Sequence, residues 1–169
     1  MPVKEKIWIE DDDMRLSLHS DLGFRTLVYL ASVGSGGGTI PEIATAYSVS
    51  ENHLRKVAHE LVQHGLIESQ RGRNGGLRLR LKPEEISIGQ VMRLMEPDFA
   101  LVDCLGHDPE RCVLTGHCGL QGIFVESLKA WFAVLDRYTL ADAIRGSSQL
   151  QLHTLFGAGA GLPAPPPAA

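Results

Sequence analysis

The sequence predicts a mainly α-helical chain with one small β-hairpin: a winged helix-turn-helix followed by a long C-terminal helix suited to dimerisation. Three observations predict it. Two short helical stretches, opening at Thr39 and Ser50, are joined by the tight turn Ser48-Val49-Ser50. Two strand-like runs follow directly, on either side of Arg71-Gly72-Arg73-Asn74-Gly75-Gly76. Further on, Leu120, Ile123, Phe124, Leu128, Trp131, Phe132 and Leu135 recur at helical spacing.

The elements follow in order. Residues 1–13 form an acidic leader ahead of Met14, which can itself serve as a start. Leu18, Leu22, Val28, Tyr29, Leu30 and Val33 predict a first helix over about Ser20 to Ser32. The run Gly34 to Gly38 ends it in a loop. Thr39 with Glu42 three residues on is a capping-box pattern, and Pro41 suits a first turn. The short helix it opens runs to about Tyr47. Ser50 is placed to cap the next helix, which turns Leu54, Val57, Leu61 and Val62 inward and stops at Gly65, a left-handed C-cap. Leu66 to Gln70 and Leu77 to Leu81 are the strands. The second alternates apolar and basic residues, so it predicts one buried and one cationic face. Residues 14–82 thus make up the winged helix-turn-helix unit.

Residues 83–145 form a second unit. Pro83-Glu84-Glu85 breaks the strand pattern, and Ser87 opens a helix through Val91, Leu94 and Met95. Pro97 to about Gly116 reads as loop. Leu120 to Leu135 is the long helix, whose apolar face belongs to a dimer contact or to the protomer's own core; the small winged unit offers little to cover it. Thr139 to Asp142 starts a last helical turn. Residues 146–169 read as a flexible tail, because Gly, Ala and Pro dominate from Gly157 onward.

Charge is unevenly spread. The whole chain is net −4, yet Ser50 to Lys82 holds seven basic residues (Arg55, Lys56, Arg71, Arg73, Arg78, Arg80 and Lys82) against three acidic ones. A segregated basic stretch suits a phosphate-facing surface, and equally an ordinary mixed one. The order of elements adds weight to nucleic acid. The second helix of a helix-turn-helix enters the major groove with its N-terminal residues toward the bases. Here Ser50, Asn52, His53, Arg55 and Lys56 occupy those positions. Asn pairs with adenine and Arg with guanine. Arg71, Arg73 and Asn74 at the hairpin tip are placed to reach phosphates or a narrow minor groove. The expected partner is double-stranded DNA.

Three cysteines, Cys104, Cys112 and Cys118, lie close together. An odd number in a chain without an export signal is a poor disulfide framework. The spacing is neither a zinc ribbon nor C-x-x-C redox chemistry. Three thiolates on a loop leading into a helix can hold an iron–sulfur cluster with one iron left for another ligand, and soft thiolates also suit zinc. His107 and His117 are nearby as a fourth ligand, or are simple surface histidines. A thiolate enzyme is disfavoured, because no motif supplies a base or an orienting group. No run approaches the ~20 apolar residues of a membrane span, and residues 1–13 do not read as a signal peptide. A cytoplasmic protein is expected.

The ordered set of motifs resembles the bacterial winged-helix regulators that carry iron–sulfur clusters, the IscR/NsrR family. The stretches that carry the likeness are Met14-Arg15-Leu16 through Ser20-Asp21-Leu22, Arg25, Leu30-Ala31, and Ser50 with Leu54 and Val57. Gly65-Leu66-Ile67-Glu68-Ser69, the hairpin loop Arg71 to Gly76 and the three cysteines complete it. The likeness covers Met14 to about Ile144. Ala130 to Asp136 with Tyr138 to Asp142 is similar to the subgroup of repressors that sense nitric oxide. Members that ligate with histidine carry it three residues after the last cysteine, where this chain has Gln121. The nitric-oxide sensors add an aspartate from the partner subunit's first helix, and Asp21 holds that position. The resemblance therefore implies a homodimer with a 4Fe–4S cluster, rather than 2Fe–2S, in each protomer, ligated by Cys104, Cys112, Cys118 and Asp21 of the partner subunit. It implies a transcriptional repressor answering nitric oxide, with oxygen, redox state or cluster supply as other signals for the same scaffold. A zinc-stabilised DNA-binding protein without sensing is the plainer alternative. Read without the resemblance, Asp21 is a carboxylate favoured by a helix N-terminus.

Overall fold

A computed structural model describes residues 16–70, 75–106 and 112–145. Its elements are α1 (Leu18–Val33), α2 (Ile40–Tyr47), α3 (Glu51–Gln63), β1 (Ile67–Gln70), β2 (Gly76–Leu79), α4 (Ile88–Met95), α5 (Gly119–Leu135) and α6 (Leu140–Arg145), with short 3-10 turns at Gly34–Gly36, Pro83–Glu85 and Asp103–Leu105. The order and types agree with the sequence reading, and the fold is mainly α with one hairpin.

Local chemistry explains the boundaries. Ser17 caps α1 by accepting from the Ser20 N–H, two residues earlier than the periodicity places the helix start. Thr39 and Glu42 form the full capping box of α2. Ser48 adopts a left-handed conformation, φ 53°, and the Val49 N–H donates to the Ala44 carbonyl, so the chain turns sharply into α3. Ser50 occupies the N-cap position of α3, but its side chain makes no capping hydrogen bond, contrary to expectation. Gly65, at φ 70°, provides the left-handed stop after α3. Ser87 caps α4 and Thr139 caps α6 through Asp142.

The core gathers Leu22, Leu27 and Leu30 of α1, Ile43 of α2, Leu54, Val57 and Leu61 of α3, Ile67 and Leu77 of the hairpin, Val91 and Met95 of α4, and Leu140 of α6. Each such fully buried side chain contributes about 1.5–3 kcal/mol. Val62 does not belong to this set. It is exposed, because Leu54, Val57, Ala58 and Leu61 already fill the inward arc of α3.

β1 and β2 pair antiparallel, with Ile67 opposite Leu79 and Glu68 opposite Arg78. Only Leu77 is buried on β2; Leu81 lies past the strand and is exposed, so the buried face is shorter than the alternation suggests. Gly38 exchanges both backbone bonds with Leu77 at 2.9 and 2.7 Å, adding a one-residue third strand. A Cβ on Gly38 would sit 2.6 Å from the Tyr29 ring, which explains glycine there. Hydrogen bonds from Ile88 N–H to Tyr138 O and from Leu140 N–H to Ile86 O fasten the α5–α6 turn to the start of α4. α5 itself has no buried residue.

Candidate nucleic-acid interface and cysteine centre

α3 is held by its apolar arc and by contacts to α1. His19 Nε2 of α1 lies 2.7 Å from Glu60 Oε2 of α3, though not aligned as a hydrogen bond. The opposite arc of α3 is free of the core: Ser50, Asn52, His53, Arg55 and Lys56 are all exposed there. The structure therefore brings the five predicted residues of this helix to one surface. Arg55 is not idle. Its Nη2 donates to Glu51 Oε2 at 2.6 Å, one turn back. That pairing orients the guanidinium beside the N-terminal end of the helix.

Arg71, Arg73 and Asn74 of the hairpin tip lie outside the described residues. The strands that lead to them are described, and they set the hairpin beside α1 and the loop at Gly37 and Gly38. At Gly37 a Cβ would meet the Leu77 carbonyl at 2.7 Å and the Arg78 side chain at 2.8 Å. Only a glycine lets this loop support the hairpin so closely, and its φ of 68° demands one as well.

The three cysteines are free thiols, each half-buried. Cys104 lies in the 3-10 turn, Cys112 opens the turns that precede α5, and Cys118 is the N-cap residue of α5. Cys118 thus stands at the positive end of a seventeen-residue helix. Gln121 ties the two ends of the loop, donating from Nε2 to the Cys104 carbonyl at 3.3 Å and from its N–H to the Cys118 carbonyl at 3.3 Å. His117 is exposed on the turn before α5, and His107 lies outside the described residues. Among the described residues no three metal-capable side chains converge into a ready-made site. The chemistry of the donors, three free thiols with only Cys118 at the helix N-terminus, nonetheless fits a thiolate-ligated iron–sulfur cluster better than a hard cation.

Asp21 stands in the first turn of α1, half-exposed, with Oδ2 2.7 Å from Arg25 Nη2. Arg25 also lies over the Tyr47 ring, 5.8 Å from its centre, and its carbonyl accepts the Tyr47 hydroxyl at 2.9 Å. Burial pushes the Tyr47 phenol well above its ordinary value, so the hydroxyl stays a donor. Sequence reading did not assign this network, nor the contact of His19 with Glu60. The i, i+4 spacing of Asp21 and Arg25 was the available signal for the first. Nothing local announces the second.

The family model "Rrf2: Iron-dependent Transcriptional regulator" matches residues 16–146. The chain is 42% identical over 138 residues to the HTH-type transcriptional regulator NsrR of Bacillus subtilis (strain 168), covering 81% of this chain and 94% of that protein. Among solved structures it is similar to CymR, described as the global cysteine regulator of B. subtilis, with a TM-score of 0.64 and 25% identity over 80% of this chain and all of that one. It also shares the fold of T. potens IscR, with a TM-score of 0.66 at 24% identity, covering 84% of this chain and 94% of that one. No helix among the described residues is long and apolar enough to cross a membrane. The chain is a transcriptional regulator, not an enzyme, and it belongs to the Rrf2 family of iron-dependent transcriptional regulators.

Proposed function

We propose that the chain is a homodimeric, cytoplasmic repressor whose hold on its DNA operator is set by a 4Fe–4S cluster that reacts with nitric oxide. The observation that carries this reading is the set of three free, half-buried cysteines on the segment that runs into α5, in a chain whose α1 presents Asp21. Cys104, Cys112 and Cys118 are the residues that would hold the cluster, with Asp21 of the partner subunit as fourth ligand. The NsrR name borne by the B. subtilis relative supports nitric oxide as the signal.

The exposed side of α5 supports the homodimer. Leu120, Ile123, Ser127, Ala130 and Val134 follow at intervals of three, four, three and four residues, the heptad seam of paired helices. Leu120, Ile123 and Val134 are all exposed. The Ser127 hydroxyl donates to the Ile123 carbonyl at 2.9 Å, so it can enter an apolar seam without losing a partner. A second copy laying the same stripe against this one removes it from water.

When bound, the cluster supplies iron centres with which nitric oxide combines. The protein's part is positional. Cys104, Cys112 and Cys118 would hold the cluster as thiolates, while Asp21 of the partner subunit would offer a carboxylate, the harder and weaker iron ligand and hence the one most readily exchanged. Arg25 is placed to hold Asp21 whenever the carboxylate is not ligated. α1 packs on α3, so a tie from α1 to the partner's cysteine loop fixes the two α3 helices relative to each other. Half-site spacing on DNA depends on that separation. Ser50, Asn52, His53, Arg55 and Lys56 then read the major groove, and Arg71, Arg73 and Asn74 extend contact to the backbone or minor groove.

The test is an anaerobic absorbance spectrum with iron and sulfide analysis, followed by stepwise nitric oxide. A broad band near ~400 nm that nitric oxide bleaches, with about four iron and four sulfide per chain, is expected. A colourless protein holding zinc would sink the cluster reading. A stable cluster indifferent to nitric oxide would remove the signal assigned to it.

A further inference from the structure

α5 lacks a buried residue, yet it is not adrift. Its last turn is gripped from α4. Arg93 Nη1 donates to Asp136 Oδ1 at 2.6 Å and Nη2 to Oδ2 at 2.8 Å, a parallel two-bond fork. The same guanidinium lies over the Phe132 ring, 4.0 Å from its centre. Phe132 in turn meets Phe99 edge-on at 4.9 Å and Trp131 at 4.9 Å, and Phe99 is 5.9 Å from Trp131. Phe99 lies on the segment that leads to Cys104.

The other end of this chain of contacts is the winged unit. Val91, Met92 and Met95 of α4 are buried, and Met95 packs where a Cβ on Gly23 of α1 would collide with it at 2.9 Å. Gly89 serves a similar purpose. A Cβ there would run into the Asp136 carboxylate, so glycine is what lets the end of α5 come this close to α4. Arg93 is therefore the one side chain among the described contacts that touches α5 by charge and by ring face at once, from a helix rooted in the core. Asp136 is held below the ordinary carboxylate range by the Arg93 hydrogen bond, so the fork is fully charged at neutral pH.

We infer that Arg93 is a positioning residue that couples the cysteine loop to the DNA-binding unit, through Phe132 and Phe99 on one side and the α4–α1 packing on the other. The inference rests on the cluster reading above and assigns the path by which the state of the loop reaches α3. Asp136 fixes the angle of α5, and Phe99 carries the loop with it. Without Arg93 the winged unit keeps its structure, while the loop and the end of α5 loosen and no longer follow it.

The experiment uses the full chain as Arg93→Ala and, separately, Asp136→Asn, which preserves the shape beside Gly89. The first readout needs no cluster: amide exchange of the metal-free protein. Exchange across residues 98–105 and 131–137 is expected to quicken several-fold, with α3 unchanged. The second is the ratio of operator affinities with and without the reconstituted cluster. The ratio is expected to fall toward one in Arg93→Ala and partway in Asp136→Asn, with the cluster spectrum intact. A purely structural role would lower both affinities together and leave their ratio as in wild type, and that result would overturn the inference. Unaltered exchange at 98–105 would overturn it too. A wild type whose affinity ignores the cluster would instead bring down the cluster reading, and this coupling with it.

Discussion

Asp21 and Arg25 face each other across one turn of α1, with Arg25 Nη2 2.7 Å from Asp21 Oδ2. The carboxylate we propose as a ligand to the neighbouring subunit's cluster thus has a competing partner within its own helix. Removing each member should push the cluster in opposite directions. Asp21→Ala is expected to quicken cluster loss to a chelator under anaerobic conditions, because the fourth ligand is gone. Arg25→Ala is expected to slow it, because the carboxylate is no longer drawn away. Decay of the visible absorbance measures both, and equal rates in all three proteins would exclude Asp21 as a ligand.

Arg55 and Lys56 adjoin on the exposed arc of α3, but their surroundings differ. Arg55 is held by Glu51, which orients its fork toward one direction; Lys56 has no such constraint among the ion pairs described. Arg55→Ala should cost roughly 1–3 kcal/mol on the cognate operator and relax discrimination at one base pair. Lys56→Ala should weaken all sequences alike and reduce the salt slope by about one. Arg71→Ala with Arg73→Ala should reduce that slope by about two if both hairpin residues meet phosphate. Fluorescence anisotropy on matched and mismatched duplexes at several salt concentrations separates these outcomes.

Gly38 joins the hairpin to the body of the fold by its paired bonds with Leu77. Any side chain there meets the Tyr29 ring. Gly38→Ala is expected to lower stability by roughly 1–3 kcal/mol through overcrowding, read as a shift in the urea midpoint. An unshifted midpoint would mean that Tyr29 moves aside freely.

Thr139 donates both its N–H and its hydroxyl to Asp142 Oδ2, at 2.9 and 2.8 Å. These bonds, more than the nearby Arg145, hold the carboxyl below its ordinary value of 3.8. A group held low in the folded state contributes stability that is present above its unfolded value and lost as pH falls through the folded one. The cap of α6 should therefore be insensitive to pH at neutrality and fail only in strong acid. Thr139→Ala is expected to move the Asp142 titration upward toward 3.8, as followed by carboxyl carbon NMR.

Much of this was legible in the sequence because it is local. The Thr39–Glu42 box, the Gly65 stop and the Leu54–Val57–Leu61 arc depend on residues a turn apart, and spacing alone reveals them. Val62 misled because it sits at the margin of the apolar arc, where burial depends on what the neighbouring helix covers. Ser50 is of a capping residue type at a capping position, yet whether its hydroxyl turns toward the helix is a rotamer choice that residue type does not fix. At the proposed site the candidate donors are read from the sequence, while the contacts that join their loop to the rest of the fold are not. Three clustered cysteines can be counted, but Arg93 and Asp136 are 43 residues apart, and only the return of α5 to α4 brings them together.

Whether the cluster governs DNA binding is decided by the affinity of the anaerobic, cluster-loaded protein for its operator, measured by anisotropy before and after stoichiometric nitric oxide. Triple Cys104→Ala, Cys112→Ala, Cys118→Ala protein serves as the cluster-free reference. Tight binding is expected before nitric oxide, with a fall afterwards to the level of the triple variant. Equal affinity before and after nitric oxide, with the cluster spectrum bleached, would overturn this reading, since loss of the intact cluster would then leave DNA binding unchanged.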